Sequence, residues 1–532
     1  MTWVATNATS CKGVGTAVSG TAPMSPAVTT TYTQTCTGAG GSASATATVT
    51  VTGAGVTSTP PPTAANCNQQ LGASPVTFCE TFDAPAGVAG ARSGDLNANV
   101  WGVSRTIGDS GVNFGQSEFN RWNATVIDKC DGTTPTVNAP GDVIICNGQV
   151  REAVNDNNTL EFENGDVVSL GMYAKQPFDF AGRTGTVSFD VSNDSSGIHS
   201  VWPEFWMSDL PVPDPFAHLG SWIALPANGF GVRFANAVQA GMQGECPNGN
   251  NLNQPRWTVD SAIVSRGYVE EDTNGFSVST GMKVNILDCV ISSSGPGNMN
   301  HVELRVSQSQ IDVYATDAGV VPTVASLRHI ASITGTNLTF TRGLIWLEDA
   351  HYNADKQTSM NGQPASTTQR QHTFSWDNVA FDGPFTDRDF SFDAPDNTVP
   401  GANGSFNLGK LAQANGTSTW SIPGLPANPN PAGVKVLFSF NGGGNANPTT
   451  LNVIVNGHAH AVPWPYPDQL GNTWRTFAVA IPVTDLVTGT NTVQLGANQA
   501  LMFSNVDIVL ADVPGGVPVL PGANDSYPAA GQ

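Results

Sequence analysis

Charge is what this sequence has least of. Only 12% of its 532 residues are Asp, Glu, Lys or Arg, and 21 basic residues stand against 42 acidic ones. The resulting net charge of −21 repels phosphate backbones and anionic headgroups, so nucleic acid and membrane surfaces are excluded as expected partners. It also disfavours a highly anionic polysaccharide unless a basic cleft is held locally. No apolar run approaches the ~20 residues that a membrane-crossing helix requires, so no membrane insertion is expected. Long helical periodicities are scarce, and no Cys-x-x-Cys spacing points to zinc. No signal peptide precedes Met1-Thr-Trp3, and the expectation is that a leader and more were removed.

What is present are short β-branched runs punctuated by Gly, Pro and Asn, the pattern of all-β sandwiches. The length suggests about three domains. Eight cysteines fall into four sequential pairs: Cys11/Cys36, Cys67/Cys79, Cys130/Cys146 and Cys246/Cys289. Even count and near spacing favour disulfides and an oxidising, extracellular location; the alternative is buried free thiols.

The chain divides by composition. Residues 1–56 form a small β module, with strands around Trp3–Cys11 and Thr29–Cys36 and strict alternation from Ala43 to Val51. Residues 57–65 hold Thr57-Ser-Thr-Pro-Pro-Pro-Thr63, a stiff extended linker. Residues 66–386 form the large central domain. Residues 387–512 form a third β module, with runs such as Val434–Phe440, Leu451–Val455, Thr476–Ile481 and Asn505–Leu510. Residues 513–532 are Pro/Gly/Ala-rich and read as a flexible tail.

In Val201-Trp-Pro-Glu-Phe-Trp-Met207, alternation puts Val201, Pro203, Phe205 and Met207 on one face. Trp202, Glu204 and Trp206 take the other. Two indoles flanking a carboxylate suit a sugar, because indole stacks on a pyranose face and a carboxylate accepts from hydroxyls; the alternative is that the indoles are simply packed. In Leu344-Ile-Trp-Leu-Glu348-Asp-Ala-His351-Tyr352, alternation puts Trp346, Glu348 and Ala350 together. Glu204 and Glu348 then face one another across a groove as a candidate catalytic pair, with His199, His351 and Tyr352 beside them. The alternative is that both glutamates only bind. In the third module Asn456-Gly457 signals a hairpin, and His458-Ala-His460 near Trp464-Pro-Tyr466 suits a sugar or a metal, without an evident third ligand.

The central domain resembles the family 16 glycoside hydrolases, concanavalin A-like jelly-roll glucanases. The likeness rests on Leu170-Gly-Met-Tyr-Ala-Lys175, Phe178-Asp-Phe-Ala-Gly-Arg183 and Val201–Met207, and runs in order from Phe78-Cys-Glu-Thr-Phe-Asp83 to Phe374–Phe381, roughly 300 residues. It implies a two-sheet jelly-roll sandwich, flanked here by the small module and a C-terminal sandwich similar to carbohydrate-binding modules. It also implies a structural calcium ion held at positions matching Glu80 and Asp377. The family's Glu-x-Asp-x-x-Glu strand has no counterpart: its place holds Gly220-Ser-Trp-Ile-Ala-Leu225, which carries no carboxylate. The resemblance therefore implies polysaccharide recognition without the usual chemistry, by a secreted or cell-surface bacterial-type protein. A hydrolase with the displaced Glu204/Glu348 pair and a structural surface or filament subunit are the alternatives. Gln116–Arg121, Gly197-Ile-His199 and Glu348–Tyr352 are also loosely similar to jelly-roll alginate lyases, in which Tyr352 and His199 would exchange protons. The first module, through Cys11 and Tyr32-x-x-x-Cys36, resembles bacterial immunoglobulin-like repeats and lacks their opening strand, which leaves truncation or self-association through a donated strand.

Overall fold

The computed structural model describes residues 2–14, 16–22, 30–49, 76–83, 95–97, 100–108, 121–122, 142–155, 167–193, 201–209, 228–236, 246, 256–266, 269–273, 281–293, 298–352, 371–384, 388–395, 399–400, 406–407, 409–427, 429–441, 448–464 and 475–513. Two compact units are present, residues 1–60 and 61–532. Within the described residues the regular structure is β throughout, apart from one short 3-10 turn at Val483–Asp485.

The first unit holds a three-stranded sheet in the order Ser10–Lys12, Thr30–Gly38, Gly41–Val49, and a two-stranded one, Thr2–Val4 with Ser19–Thr21. The Cys11–Cys36 disulfide ties directly opposed residues. Thr35 and Thr37 pair their hydroxyls with Ser44 and Ser42, both at 2.8 Å. Residues 42–47 are exposed.

The second unit contains two sandwiches. In the first, one sheet runs Lys283–Ile286, Arg328–Thr334, Gln310–Ala315, Asn300–Val306, Gly185–Asn193, Gln371–Asp382, Gln149–Asn155, Asp142–Cys146, with Val76–Glu80 also on Gln371–Asp382. The facing sheet runs Val269–Asp272, Arg256–Arg266, Asn228–Asn236, Val201–Ser208, Arg342–Tyr352, Val167–Ala174, Trp101–Gly108. Alternation explains the core between them. Val187, Phe189, Val302, Leu304 and Trp376 from one sheet meet Phe205, Met207, Phe230, Val232, Ile345 and Leu347 from the other. Phe189 stacks on Phe205, ring centroids 5.8 Å apart. Pro203 is tolerated inside a central strand because the ladder to Asn228–Asn236 starts only at Glu204–Arg233. A residue without an N–H therefore costs no ladder bond on that side.

The C-terminal sandwich packs one sheet, Arg388–Asp393, Leu501–Val513, Gly433–Asn441, Arg475–Ile481, on another, Thr417–Leu425, Gly489–Ala497, Thr450–Val455, His458–Pro463. Its own core includes Trp420, Val436, Phe438, Leu451, Leu495 and Phe503. Asn456 and Gly457, both at positive φ (48° and 90°), make the two-residue hairpin turn that their sequence signals. A short sheet, Val399–Pro400, Phe406–Asn407 and Arg121–Trp122, pairs backbone from the two sandwiches. A second disulfide joins Cys246 to Cys289, and Cys79 is also disulfide-bonded. Cys67 and Cys130 lie outside the described residues, as does the Cys146 side chain. Among the described residues no helix is long and apolar enough to cross a membrane.

Candidate functional site

The face of the second sheet that points away from the core carries the carboxylates singled out from the sequence. Phe205 and Met207 enter the core, while Trp206 belongs to a separate cluster with Tyr173, Ile263, Leu344 and Trp346. Pairing of Val201–Ser208 with Arg342–Tyr352 sets Glu204 opposite Glu348 and Trp206 opposite Trp346. The two glutamates are therefore side by side on adjacent strands, and do not face one another across a groove as the sequence suggests. Directly opposed residues have Cβ atoms about 5 Å apart.

Both carboxyl groups are buried: Glu204 is 0% exposed and Glu348 1%. Burial is the main force that pushes the Glu204 carboxyl up to about 8; the Arg233 charge and the Trp206 hydrogen bond oppose it. Trp206 Nε1 donates to Glu204 Oε2 at 3.1 Å, and Glu204 Oε1 has no hydrogen-bond partner. At neutral pH this group is mostly a neutral acid.

The other neighbour of Val201–Ser208 is Asn228–Asn236, and it supplies what the sequence reading lacks. Its outward positions Gly229, Gly231 and Arg233 stand opposite Ser208, Trp206 and Glu204. None is a carboxylate. Arg233 is ion-paired with Asp260 of the next strand. A Cβ on Gly231 would lie 2.3 Å from the Trp206 ring, so the indole rests on bare backbone. Gly102 likewise lies beneath Tyr173, where an added Cβ would come within 2.1 Å. Alternation in Asn228-Gly-Phe-Gly-Val-Arg-Phe234 is the sequence signal for this strand, with Phe230, Val232 and Phe234 pointing to the core.

One end of the row is closed by the C-terminal sandwich. Tyr173 packs against Trp346 with ring centroids 4.5 Å apart and planes tilted by 34°, and its hydroxyl donates to Ser391 Oγ at 2.8 Å. Lys175 Nζ donates to Ser391 O at 2.8 Å, and Ser391 Oγ donates to Asp393 Oδ1 at 3.0 Å. Trp346 Nε1 donates to Ser208 Oγ at 3.1 Å. Trp206 and Trp346 are thus buried, at 5% and 3%, with their indole N–H groups engaged. The open concave surface expected from the sequence is not where these two rings lie. Trp202 stands opposite Ala350 and His351 opposite Val201, with Tyr352 opposite Val167; the side chains of Trp202, His351 and Tyr352 are outside the described residues. His199 and Gly220–Leu225 are wholly outside them.

On the opposite sheet, Glu80 pairs in register with Val379, two residues beyond Asp377. Burial chiefly, then the charges of Asp190, Asp83 and Glu80, push the Asp377 carboxyl up to about 7, against the Asn378 N–H that it accepts. Burial also raises Glu80. Glu80 accepts from Phe82 N at 3.2 Å and Trp101 Nε1 at 3.4 Å. Asp190 binds His301 Nδ1 at 2.6 Å and Asn378 Nδ2 at 2.8 Å. Among the described residues no group of three or more His, Cys, Asp or Glu side chains is placed to hold a metal. These carboxylates share a field and do not, as they stand, form a coordination sphere.

No family model matches the sequence, and no curated protein matches it significantly. Solved structures do show similarity. A non-specific endo-β-1,3(4)-glucanase from family GH16 is 8% identical over 58% of this chain and 90% of its own, with a TM-score of 0.29. A glycoside hydrolase family protein from Mycobacterium thermorestibile is 13% identical over 57% and 99%, with a TM-score of 0.28. The exoplasmic/lumenal domain of VIP36, bound to Ca2+ and Man2, is 11% identical over 49% and 88%, with a TM-score of 0.25. Similarity this low transfers no activity to the present chain.

Proposed function

We propose that the first sandwich of residues 61–532 recognises a polysaccharide, in an extracellular or cell-surface setting, through the outer face of the Val201–Ser208 and Arg342–Tyr352 strand pair. The observation that carries this reading is Glu204 Oε1, fully buried and without a partner. A buried polar atom left unpaired costs about 1–3 kcal/mol, and such atoms mark places where something else completes the bond. A sugar hydroxyl, donor and acceptor at once, complements a neutral carboxyl and the Glu348 beside it. Because Tyr173 and Ser391 close one end, the ligand approaches from the end where Trp202, His351 and Tyr352 continue the two strands.

Hydrolysis is the second reading, favoured by a protonated Glu204 directly opposite Glu348. Glu204 would protonate the glycosidic oxygen and Glu348 would act as the nucleophile, the division of labour of a retaining pair. Binding without turnover is preferred, since Gly229, Gly231 and Arg233 occupy the adjacent strand and bring no further carboxylate. A glycan array and a reducing-end assay on one preparation decide between them. If wild type releases reducing ends and either Glu204→Gln or Glu348→Gln abolishes release, the hydrolase reading replaces this one; no glycan bound and no product formed rejects both.

Calcium belongs to the same proposal. Burial chiefly raises the Asp377 carboxyl, and a divalent cation near Glu80 and Asp377 would offset the smaller contribution of the Asp190, Asp83 and Glu80 charges. Calcium should then raise the melting temperature of wild type and not of Asp377→Ala; an equal response in both removes this element. The first unit is assigned as an immunoglobulin-like module whose strand Gly41–Val49, exposed over residues 41–47, offers an edge for self-association, testable by sedimentation with and without residues 1–60.

A further inference from the structure

The C-terminal sandwich holds a cluster unconnected with the Glu204 row. His458 and His460 take alternate positions on the edge strand His458–Pro463 and so share one face. The 3-10 turn Val483–Asp485 brings a third group to them. His460 Nε2 lies 2.8 Å from Asp485 Oδ2, and His458 Nδ1 lies 3.8 Å from Asp485 Oδ1. The Asp485 side chain is 8% exposed and that of His458 62%. The turn is fixed from behind: Asn456 Nδ2 donates to Asp485 O at 2.8 Å and to Asn491 Oδ1 at 2.7 Å, while Thr492 N donates to Asn456 Oδ1 at 2.9 Å.

We propose that His458, His460 and Asp485 bind a divalent transition-metal ion of the zinc class, with water completing the coordination. Two imidazoles and a carboxylate suit zinc, copper or nickel, and not calcium or magnesium, which prefer oxygen alone. Tetrahedral bonds of about 2.0–2.1 Å place neighbouring donor atoms about 3.3 Å apart. The two imidazole–carboxylate distances, 2.8 and 3.8 Å, lie on either side of that value. A simple ion pair accounts for His460. It gives no reason for an exposed second imidazole to approach the other oxygen of the same carboxylate. The three donors do not already surround one point; the ion gathers them, with the exposed His458 as the arm that moves. On metal binding the hydrogen bond between His460 Nε2 and Asp485 Oδ2 gives way, and His460 keeps its hydrogen on Nδ1 so that Nε2 is free for the ion. The Asn456 contacts are the outer support that such sites need to hold a ligand in place.

The test is calorimetric titration of the chelator-treated full chain with zinc chloride alone near pH 7.5. A single equivalent should bind, calcium should not compete, and binding should weaken in acid, where imidazole takes up a proton. His458→Ala changes an exposed side chain and leaves the fold intact; it should weaken binding by roughly tenfold or more, as should Asp485→Asn. His329→Ala, in the other sandwich, should not. Cobalt substituted for zinc should show the visible bands of a tetrahedral site in wild type and lose them in His458→Ala. No saturable binding, or an affinity unchanged by His458→Ala, overturns the proposal.

Discussion

Glu204 sits directly opposite Glu348 in the antiparallel ladder between Val201–Ser208 and Arg342–Tyr352, and both side chains are buried. Like charges at such a pair of positions repel. Keeping Glu204 protonated avoids that repulsion, and the proton has a consequence for stability.

The Glu204 carboxyl titrates near 4.5 when exposed and near 8 in the fold, mainly because of burial. Between those values the folded chain holds a proton that the unfolded chain has released, so stability falls as pH rises through this window. Glu204→Gln removes the titration. Its unfolding free energy from urea titration should match wild type near pH 5 and exceed it near pH 9, by on the order of a few kcal/mol. Parallel stability curves for the two proteins would refute a protonated Glu204.

His301 works in the same direction by another route. Burial disfavours its charge, yet the Asp190 and Glu303 carboxylates outweigh burial and lift the imidazole to about 9. That contribution is present in full below the unfolded value of 6.5 and is lost as pH rises through about 9. Nitrogen-15 spectra should show a doubly protonated His301 ring at pH 7.5, and a neutral ring there refutes the assignment.

Trp206 and Trp346 are buried, and both indole N–H groups are hydrogen-bonded within the protein. Trp206→Ala or Trp346→Ala should cost about 3–5 kcal/mol in urea unfolding, as for other buried aromatic side chains. A loss under 1 kcal/mol would mean that these rings are loosely held.

The Tyr173–Ser391 hydrogen bond joins the two sandwiches. Tyr173→Phe and Ser391→Ala should each destabilise by about 1 kcal/mol. In a double-mutant cycle the pair should couple by roughly 0.5 kcal/mol or more. Strict additivity would show that the two sandwiches do not depend on this bond.

The alternation of Val201–Met207 was enough to separate Phe205 and Met207 from Glu204 and Trp206, because a strand has a fixed period of two. Asn456-Gly457 marked its turn because few residues accept positive φ. The burial of Trp206 and Trp346 was not legible. Trp346 packs against Tyr173, whose hydroxyl bonds Ser391 218 residues further along, and no local pattern encodes so distant a contact. The partnership of Glu204 with Arg233 was hidden for a related reason: that Arg233 stands opposite Glu204, and Gly231 beneath Trp206, follows from strand register and not from either strand's own pattern. Asp485 escaped notice because it reaches His460 from a separate short turn.

Those glycines also constrain how this face can change. Trp206 lies over Gly231 and Tyr173 over Gly102, so neither member of a pair is free to vary alone. A larger residue at Gly231 has no room while the indole remains, and a smaller ring at 206 uncovers the backbone beneath it. Sequence drift here is therefore confined to compensated exchanges, in which one strand grows as its neighbour shrinks. A new set of side chains on this face has to be acquired two strands at a time.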